Sequence, residues 1–187
     1  MVDLVILGGG PAGVSAAVYA ARKKIQSVLV TDSFGGQSIV SEDIQNWIGT
    51  PHISGAQLAQ NLEAHAREYA GTVLEIRDKT RVIDVQQGTD SFLVHIQKKG
   101  SGVEYIETKT VLVTTGSIRR KLQAIGADTF EHKGLTYCAS CDGPFLQNKT
   151  LSLLAEVMQD LKVHYNFQRT VKKYIFLIEQ KHSEVMR

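Results

Sequence analysis

The sequence predicts an α/β fold, a mainly parallel three-layer sheet with helices and a small antiparallel meander, left incomplete toward the C-terminus. Three observations carry this expectation. An apolar strand, Asp3-Leu4-Val5-Ile6-Leu7, runs into Gly8-Gly9-Gly10-Pro11-Ala12-Gly13 and then an alanine-rich helix to about residue 23. Short alternating runs follow one another near 72–76, 80–87, 91–98 and 102–108, separated by polar or glycine turns. A last apolar strand, Thr110-Val111-Leu112-Val113-Thr114, stops at Thr115-Gly116.

The first element is the most informative. After the helix, Val28-Leu29-Val30-Thr31 predicts a second strand ending at Asp32. Strand, G-x-G-x-x-G turn, helix, strand and acidic residue is the order of a Rossmann-like dinucleotide-binding unit. Gly8 permits the tight turn, Gly10 lets a pyrophosphate approach the backbone, and Gly13 lets the helix pack on the strand. The helix amino terminus, with Pro11 and Ala12 in its first turn, offers free N–H groups to phosphates. Asp32 is placed to accept from a ribose hydroxyl. The glycines do not distinguish FAD from a nicotinamide nucleotide.

Residues 33–49 read as loop, with Gly35-Gly36-Gln37 and Asn46-Trp47-Ile48-Gly49. A helix is expected over 54–70, with Leu58, Leu62, Ala66 and either Tyr69 or Ala70 on its apolar side and His65 as a partly exposed helix residue. The runs from about 72 to 108 predict the meander. The exit at Thr115-Gly116 can present its backbone to a cofactor or be a plain strand-to-loop transition.

Composition bounds the function. The chain has 187 residues, 43% hydrophobic and 21% charged, with a net charge of +2, as in an ordinary globular protein. It has no basic stripe interleaved with aromatics, which argues against nucleic acid. No apolar run approaches the roughly 18–20 residues that span a bilayer. The start lacks the basic region and cleavage site of a signal peptide, so a cytoplasmic setting is expected. The only two cysteines lie three apart, in Tyr137-Cys138-Ala139-Ser140-Cys141-Asp142-Gly143-Pro144-Phe145. Such a pair closes and opens a small disulfide with little backbone movement, and Asp142 could shuttle the proton that exchange requires. A close pair in a chain of this kind points to redox chemistry. Zinc is a poor alternative, because a structural site normally needs four ligands.

Residues 1–149 closely resemble the low-molecular-weight thioredoxin reductases and the related alkyl hydroperoxide reductase flavoproteins. The resemblance rests on Gly8 to Gly13, Gly35-Gly36-Gln37, Asn46 to Gly49, Val111 to Gly116 and Cys138 to Phe145. It implies FAD held at Gly8, Gly10, Pro11, Ala12, Gly13 and Asp32. Gly36, Gln37, Asn46, Thr115 and Gly116 would line the rest of the cofactor. It also implies that Cys141 faces the flavin, that Cys138 exchanges with a thioredoxin-like protein disulfide, and that Asp142 is the acid/base. NADPH is the family's electron source, and a homodimer is left open.

The pattern breaks after Asn148-Lys149-Thr150. The family continues into a strand and a second glycine turn for NADPH, yet no glycine occurs from Leu151 to Arg187. By the same resemblance, a closing segment of the flavin domain is expected after the NADPH unit, and no counterpart is read in the 187 residues. The expected organisation is therefore a FAD-binding half-domain over 1–116, a redox-active arm over 117–149, and an aberrant tail over 150–187. Codon arithmetic suggests a frameshift near codons 150–152. Met158 has one codon, ending in G, and Gln159 begins CA, so the phase-shifted codon reads alanine; neighbouring junctions permit Gly-Gly-Gly-Asn before it. The other reading is a divergent tail, helical first through apolar residues 151, 154, 158 and 161, with a strand around 173–179.

The expected function is a thioredoxin-reductase-type flavoenzyme by descent, with impaired activity and an exposed sheet side. Two alternatives stand beside it. One is a flavin-binding or interaction module that pairs with another chain, with Val171, Tyr174, Ile175, Phe176, Leu177 and Ile178 as the candidate interface. The other is a small redox protein that uses Cys138 and Cys141 without flavin.

Overall fold

The structure is a computed structural model and describes residues 1–117, 121–131, 133–135, 137 and the backbone of 150–155 and 173–178. The chain divides into two compact units, Met1–Ile118 and Arg119–Arg187. In the first, β1 (Val2–Gly9), α1 (Pro11–Arg22) and β2 (Ser27–Phe34) form the opening βαβ unit. A 3-10 turn covers Gly36–Val40, and α2 spans Gly55–Glu68. Then come β3 (Leu74–Arg77), β4 (Thr80–Gln87), β5 (Phe92–Lys98) and β6 (Val103–Val113).

These six strands form one sheet in the order β3-β2-β1-β6-β5-β4. β3, β2, β1 and the end of β6 run parallel, whereas β4, β5 and the start of β6 form the antiparallel meander. β1 at the centre is covered on both faces, which is why it reads as a continuous apolar run. Ile6 points into a core with Val14, Ala17, Val18, Leu29, Phe34, Ala66 and Leu74, beneath α1 and α2. Val5 and Leu7 point the other way, into a core with Val28, Val30, Val94 and Ile96, where the meander folds back over the parallel strands. Helices, parallel sheet and meander are the three layers of a Rossmann-like fold.

Two details depart from the sequence reading. The run near 72–76 belongs to the parallel sheet: Leu74 to Arg77 pair with Ser27 to Val30 of β2, so the meander starts only at Thr80. The runs 102–108 and 110–114 are one strand, β6. Its first half pairs antiparallel with β5 and its second half parallel with β1, and Thr108 is the hinge residue opposite both Phe92 and Val2. The polar Thr108-Lys109-Thr110 segment suggests a break. Instead Thr108 is fully buried, Thr110 Oγ1 donates to the Asp3 carbonyl at 2.6 Å, and Lys109 Nζ meets Asp3 Oδ1 at 2.7 Å. Polar side chains with bonded partners do not interrupt a strand whose backbone is paired on both sides.

α2 starts where Ser54 Oγ accepts from the Gln57 N–H at 3.2 Å, an N-cap. Its apolar face is the expected one, with Leu58 and Ala66 buried and Leu62 and Tyr69 packed against the helix-side core. His65 is exposed, its ring 5.8 Å from that of Tyr69. At the end of β6, Leu112 and Val113 stay 40% and 66% exposed.

Arg67 near the end of α2 fastens the helix to the β3–β4 turn. Its guanidinium meets Asp78 Oδ2 at 2.6 Å and Glu63 Oε1 at 2.8 Å, and lies 5.6 Å from the Phe34 ring centroid. The Arg67 hydrogen bond holds the Asp78 carboxyl below its ordinary value. A carboxylate with a depressed folded-state pKa contributes stability above its unfolded pKa and loses it as pH falls through the folded one. Both side chains are partly solvated, so Arg67→Ala should cost about 1 kcal/mol near neutrality. The melting-temperature difference between wild type and variant should shrink as pH falls below about 4, the ordinary aspartate range. A difference that persists unchanged to pH 2 would exclude the carboxylate as the partner that matters.

In the second unit, α3 (Ala127–Phe130) follows Gly126. Lys121 Nζ meets Glu131 Oε2 at 2.6 Å, and the Leu122 N–H donates to Tyr137 Oη at 2.8 Å. β7 (Thr150–Ala155) and β8 (Lys173–Ile178) pair in parallel, with Thr150 opposite Lys173 and Ala155 opposite Ile178. β8 matches the strand expected around 173–179. The helix expected from residue 151 is corrected: β7 stands in place of its first turn. The β-branched and aromatic run Tyr174-Ile175-Phe176-Leu177-Ile178 supplies a partner strand, and long-range pairing overrides the local 3.6-residue spacing. Residues 158 and 161 lie outside the described residues.

Candidate functional site: the glycine turn at the carboxyl end of β1

β1 delivers Gly8 to Gly13 to the carboxyl edge of the parallel strands, between the ends of β2 and β6. Gly8 has φ +116°, and a Cβ there would lie 2.6 Å from the Thr114 carbonyl oxygen. At Gly13 a Cβ would fall 1.7 Å from the Gly8 carbonyl oxygen, so the first turn of α1 rests directly on the strand end. Gly10 differs. Its backbone is ordinary, φ −74° and ψ −178°, and the nearest atom to an added Cβ is Gly36 Cα at 3.9 Å. Gly36 faces back, its own Cβ position 3.4 Å from Gly10 Cα. Two bare backbones therefore face each other at the start of α1.

α1 has no side-chain cap and no acidic residue in its first turn, and Pro11 opens it. The first N–H groups of a helix have no partners within it and carry the positive end of its dipole. A negative group set against these bare glycine backbones would meet the N–H groups with no Gly10 or Gly36 side chain in the way. The donor set thus fits the pyrophosphate of a dinucleotide.

Two threonines that the sequence reading did not single out hold this turn. Thr31 near the end of β2 accepts the Gly9 N–H at 2.9 Å and donates to the Ser33 carbonyl at 2.6 Å. Thr114, just past β6, donates through Oγ1 to the Leu7 carbonyl at 2.8 Å, and its N–H donates there too at 3.0 Å. The available signal was that both strands flanking β1 carry a threonine near their ends.

The other expected residues are placed as follows. Asp32 is exposed on β2, its Oδ2 3.3 Å from Arg81 Nε of β4. β2 runs on to Phe34 rather than stopping at Asp32. Gly35 donates its N–H to the Gly9 carbonyl at 3.0 Å, which brings the Gly35-Gly36-Gln37 segment to the turn. Gln37 Nε2 bonds the Ser117 carbonyl, so its side chain spans from the 3-10 turn to the exit of β6. Thr115 and Gly116 lie at that exit, exposed, with Thr115 Cα 3.1 Å from the Cβ position of Gly8. Asn46 is exposed on the 44–53 loop and makes no hydrogen bond to the turn among the described residues. That loop is closed by the Ile44–Ile53 bridge and by Asp43, which meets His52 Nδ1 at 3.0 Å. Hydrogen bonds from Gln45 and then His52 hold the Asp43 carboxyl below its ordinary value. Cys138, Cys141 and Asp142 lie outside the described residues.

A cavity of about 250 Å³ elsewhere, between β3 and the meander, is lined by Glu75, Arg77, Asp78, Lys98 and Glu104. Arg77 is already paired with Glu75 and Glu104 there, so nothing in it resembles the glycine turn. Among the described residues no group of histidine, cysteine and carboxylate side chains is arranged to hold a metal, and no helix is long and apolar enough to cross a membrane.

Fold and turn together define a dinucleotide-binding unit of the Rossmann-like class. The family model for pyridine nucleotide-disulphide oxidoreductases matches residues 2–172, and the chain belongs to that family. An alkyl hydroperoxide reductase component of Xanthomonas campestris pv. phaseoli is 36% identical over 152 residues, 81% of this chain and 28% of that protein. A Bacillus subtilis protein named NADH dehydrogenase is 34% identical over the same shares. Among solved structures, thioredoxin reductase from Streptococcus pyogenes MGAS5005 superposes with a TM-score of 0.80 at 29% identity, covering 94% of this chain and 55% of that one. The chain thus spans little more than a quarter of these curated relatives and about half of the matched structure.

Proposed function

We propose that the chain is, by descent, an FAD-dependent disulfide oxidoreductase of thioredoxin-reductase type whose first unit forms a flavin-binding site. The carrying observation is the close approach of the bare Gly10 and Gly36 backbones at the uncapped start of α1, in a chain of this family that also contains Cys138-Ala139-Ser140-Cys141-Asp142. FAD, when bound, supplies the two-electron relay between a reduced nicotinamide and a disulfide.

In this reading Gly8, Gly10, Pro11, Ala12 and Gly13 hold the pyrophosphate and Asp32 accepts from the ribose. Gly36, Gln37, Asn46, Thr115 and Gly116 line the remainder. The Cys138 thiolate attacks a sulfur of the partner disulfide, and the partner's second sulfur leaves and takes a proton from Asp142. Cys141 then attacks Cys138 Sγ, its thiol proton passing by way of the Asp142 carboxylate to the departing first sulfur. This releases the partner as a dithiol and leaves the Cys138–Cys141 disulfide, oxidised by two electrons. The thiolate is the attacking species, so the rate depends on what lowers the Cys138 pKa. The partner is a thioredoxin-like protein disulfide, and the setting is cytoplasmic.

The nicotinamide half is read differently. The stretch 151–187 holds no glycine, so a second phosphate-binding glycine turn is not in it. We read 117–149 as the redox arm and 150–187 as a segment descended, through a shift of frame, from the start of a second βαβ unit. What supports that descent is the glycine-free text from Leu151 onward in a family whose match begins at residue 2. The parallel β7–β8 pair and the reach of that match to residue 172 favour the other reading, a divergent tail in the same frame. Sequencing the gene around codon 150 tests it, and an intact alternative frame without a glycine turn would sink it. The exposed Leu112 and Val113 favour the second reading, a flavin-binding module that pairs with another chain and has no reductase activity of its own.

The visible spectrum of the purified 187-residue chain, before and after adding FAD, separates these readings. Flavin absorbance that stays with the protein is expected, with little or no bleaching on adding NADPH. Protein that stays colourless in excess FAD would overturn the flavin reading. NADPH oxidation at an ordinary enzymatic turnover, about 10 per second, would overturn the reading that residues 151–187 hold no nicotinamide site.

A further inference from the structure

We propose that Thr31 is a positioning residue that couples the phosphate-binding turn to the ribose-binding carboxylate. The inference rests on reading the glycine turn as the FAD site. Val28, Leu29 and Val30 before it are all buried, and Thr31 continues the run at 4% exposure. A hydroxyl placed there is costly unless it is bonded. It is bonded in both its capacities, accepting from the Gly9 N–H and donating to the Ser33 carbonyl.

Those two partners belong to different parts of the site. Gly9 is the middle of the three glycines that end β1, and Ser33 is the residue after Asp32. The Thr31 hydroxyl closes over the backbone of Asp32 while fixing the peptide that leads into Gly10. Contact is close enough that a Cβ on Gly9 would lie 2.5 Å from Thr31 Oγ1. Asp32 is itself exposed, with Arg81 as its one ion-pair partner among the described residues, so its bearing toward the turn is set mainly through its backbone. Thr114 makes a useful contrast. It holds the opposite flank of the turn through Leu7 and Gly8 but has no bond to the Asp32 segment among the described residues.

Thr31→Val keeps the shape and removes both bonds. In fluorescence titrations of the full chain it should weaken FAD binding about tenfold, while Thr31→Ser should stay within about twofold of wild type. If Thr31 acts partly through Asp32, the valine should cost clearly less, about threefold, once Asp32→Ala is already present and only the Gly9 bond is left to lose, whereas Thr114→Val should cost the same in both backgrounds. A Thr31→Val penalty that is equal with and without Asp32 would overturn the coupling. A serine variant as weak as the valine would overturn the role of the hydroxyl, and it decides the matter even if the valine variant does not fold.

A flavin-free arm keeps this separate from the functional reading. Hydrogen exchange at the Gly9 amide should be at least about tenfold faster in Thr31→Val than in wild type, and unchanged in Thr31→Ser. If wild type takes up no FAD, the functional reading fails. An unchanged Gly9 exchange rate in the valine variant would overturn the Thr31 assignment by itself.

Discussion

Gly13→Ala should strongly destabilise the native fold, whereas Gly10→Ala, three residues away in the same turn, should fold as wild type and fail to bind. The Gly13 methyl would sit 1.7 Å from the Gly8 carbonyl oxygen and 2.8 Å from Thr114 Oγ1, both parts of bonded backbone or clamp that cannot step aside. α1 would have to lift from β1, separating Val14, Ala17 and Val18 from Ile6. The expected cost is on the order of 4 kcal/mol, a large share of the roughly 5–15 kcal/mol that holds a domain together. At Gly10 the nearest atom is 3.9 Å away and the backbone angles suit any residue, so the melting temperature should hardly change. The methyl would, however, cover the bare backbone facing Gly36, against which the phosphates are proposed to lie. Thermal melts and FAD titrations of the two variants test this, and loss of folding in Gly10→Ala or an unshifted, wild-type melt in Gly13→Ala would contradict the geometry.

Ile6→Ala should be the most damaging truncation on the helix side of the sheet. Ile6 is completely buried in the central strand, among Val14, Leu29 and Leu74. Its neighbours come from α1, β2 and β3, and all three would have to move together to close the space. Cavity-forming changes of this kind cost about 2–5 kcal/mol, and the constrained surroundings place this one toward the upper half. A urea midpoint lowered at an unchanged slope is the expected result. A shift equal to that of an exposed truncation such as Ile83→Ala, whose side chain is half in solvent, would mean that the helices are not seated on β1 as described.

Much of this architecture was legible because its signals are local. The run into Gly8–Gly13, the alanine-rich helix and the strand before Asp32 occupy one stretch of chain, and steric rules tie each residue type to one conformation there. The 54–70 periodicity likewise identified the buried side of α2. The tail was harder to read, because parallel pairing between segments at 150 and 173 leaves no local mark, and apolar spacing over 151–161 also suits a helix.

The sequence by itself determined the dinucleotide-binding turn, the mixed helix and strand order and the cysteine pair, because each is written in neighbouring residues. Only the tertiary structure decided which contacts hold the turn in shape. Thr31 meets Gly9 across 22 residues and Thr114 meets Leu7 across 107, and a threonine at a strand end looks the same in sequence whether its hydroxyl faces solvent or a glycine turn. The continuity of β6 was decided in the same way. Thr108-Lys109-Thr110 is polar enough to end a strand, and it becomes the middle of one only because β5 and β1 bond its two halves from opposite sides.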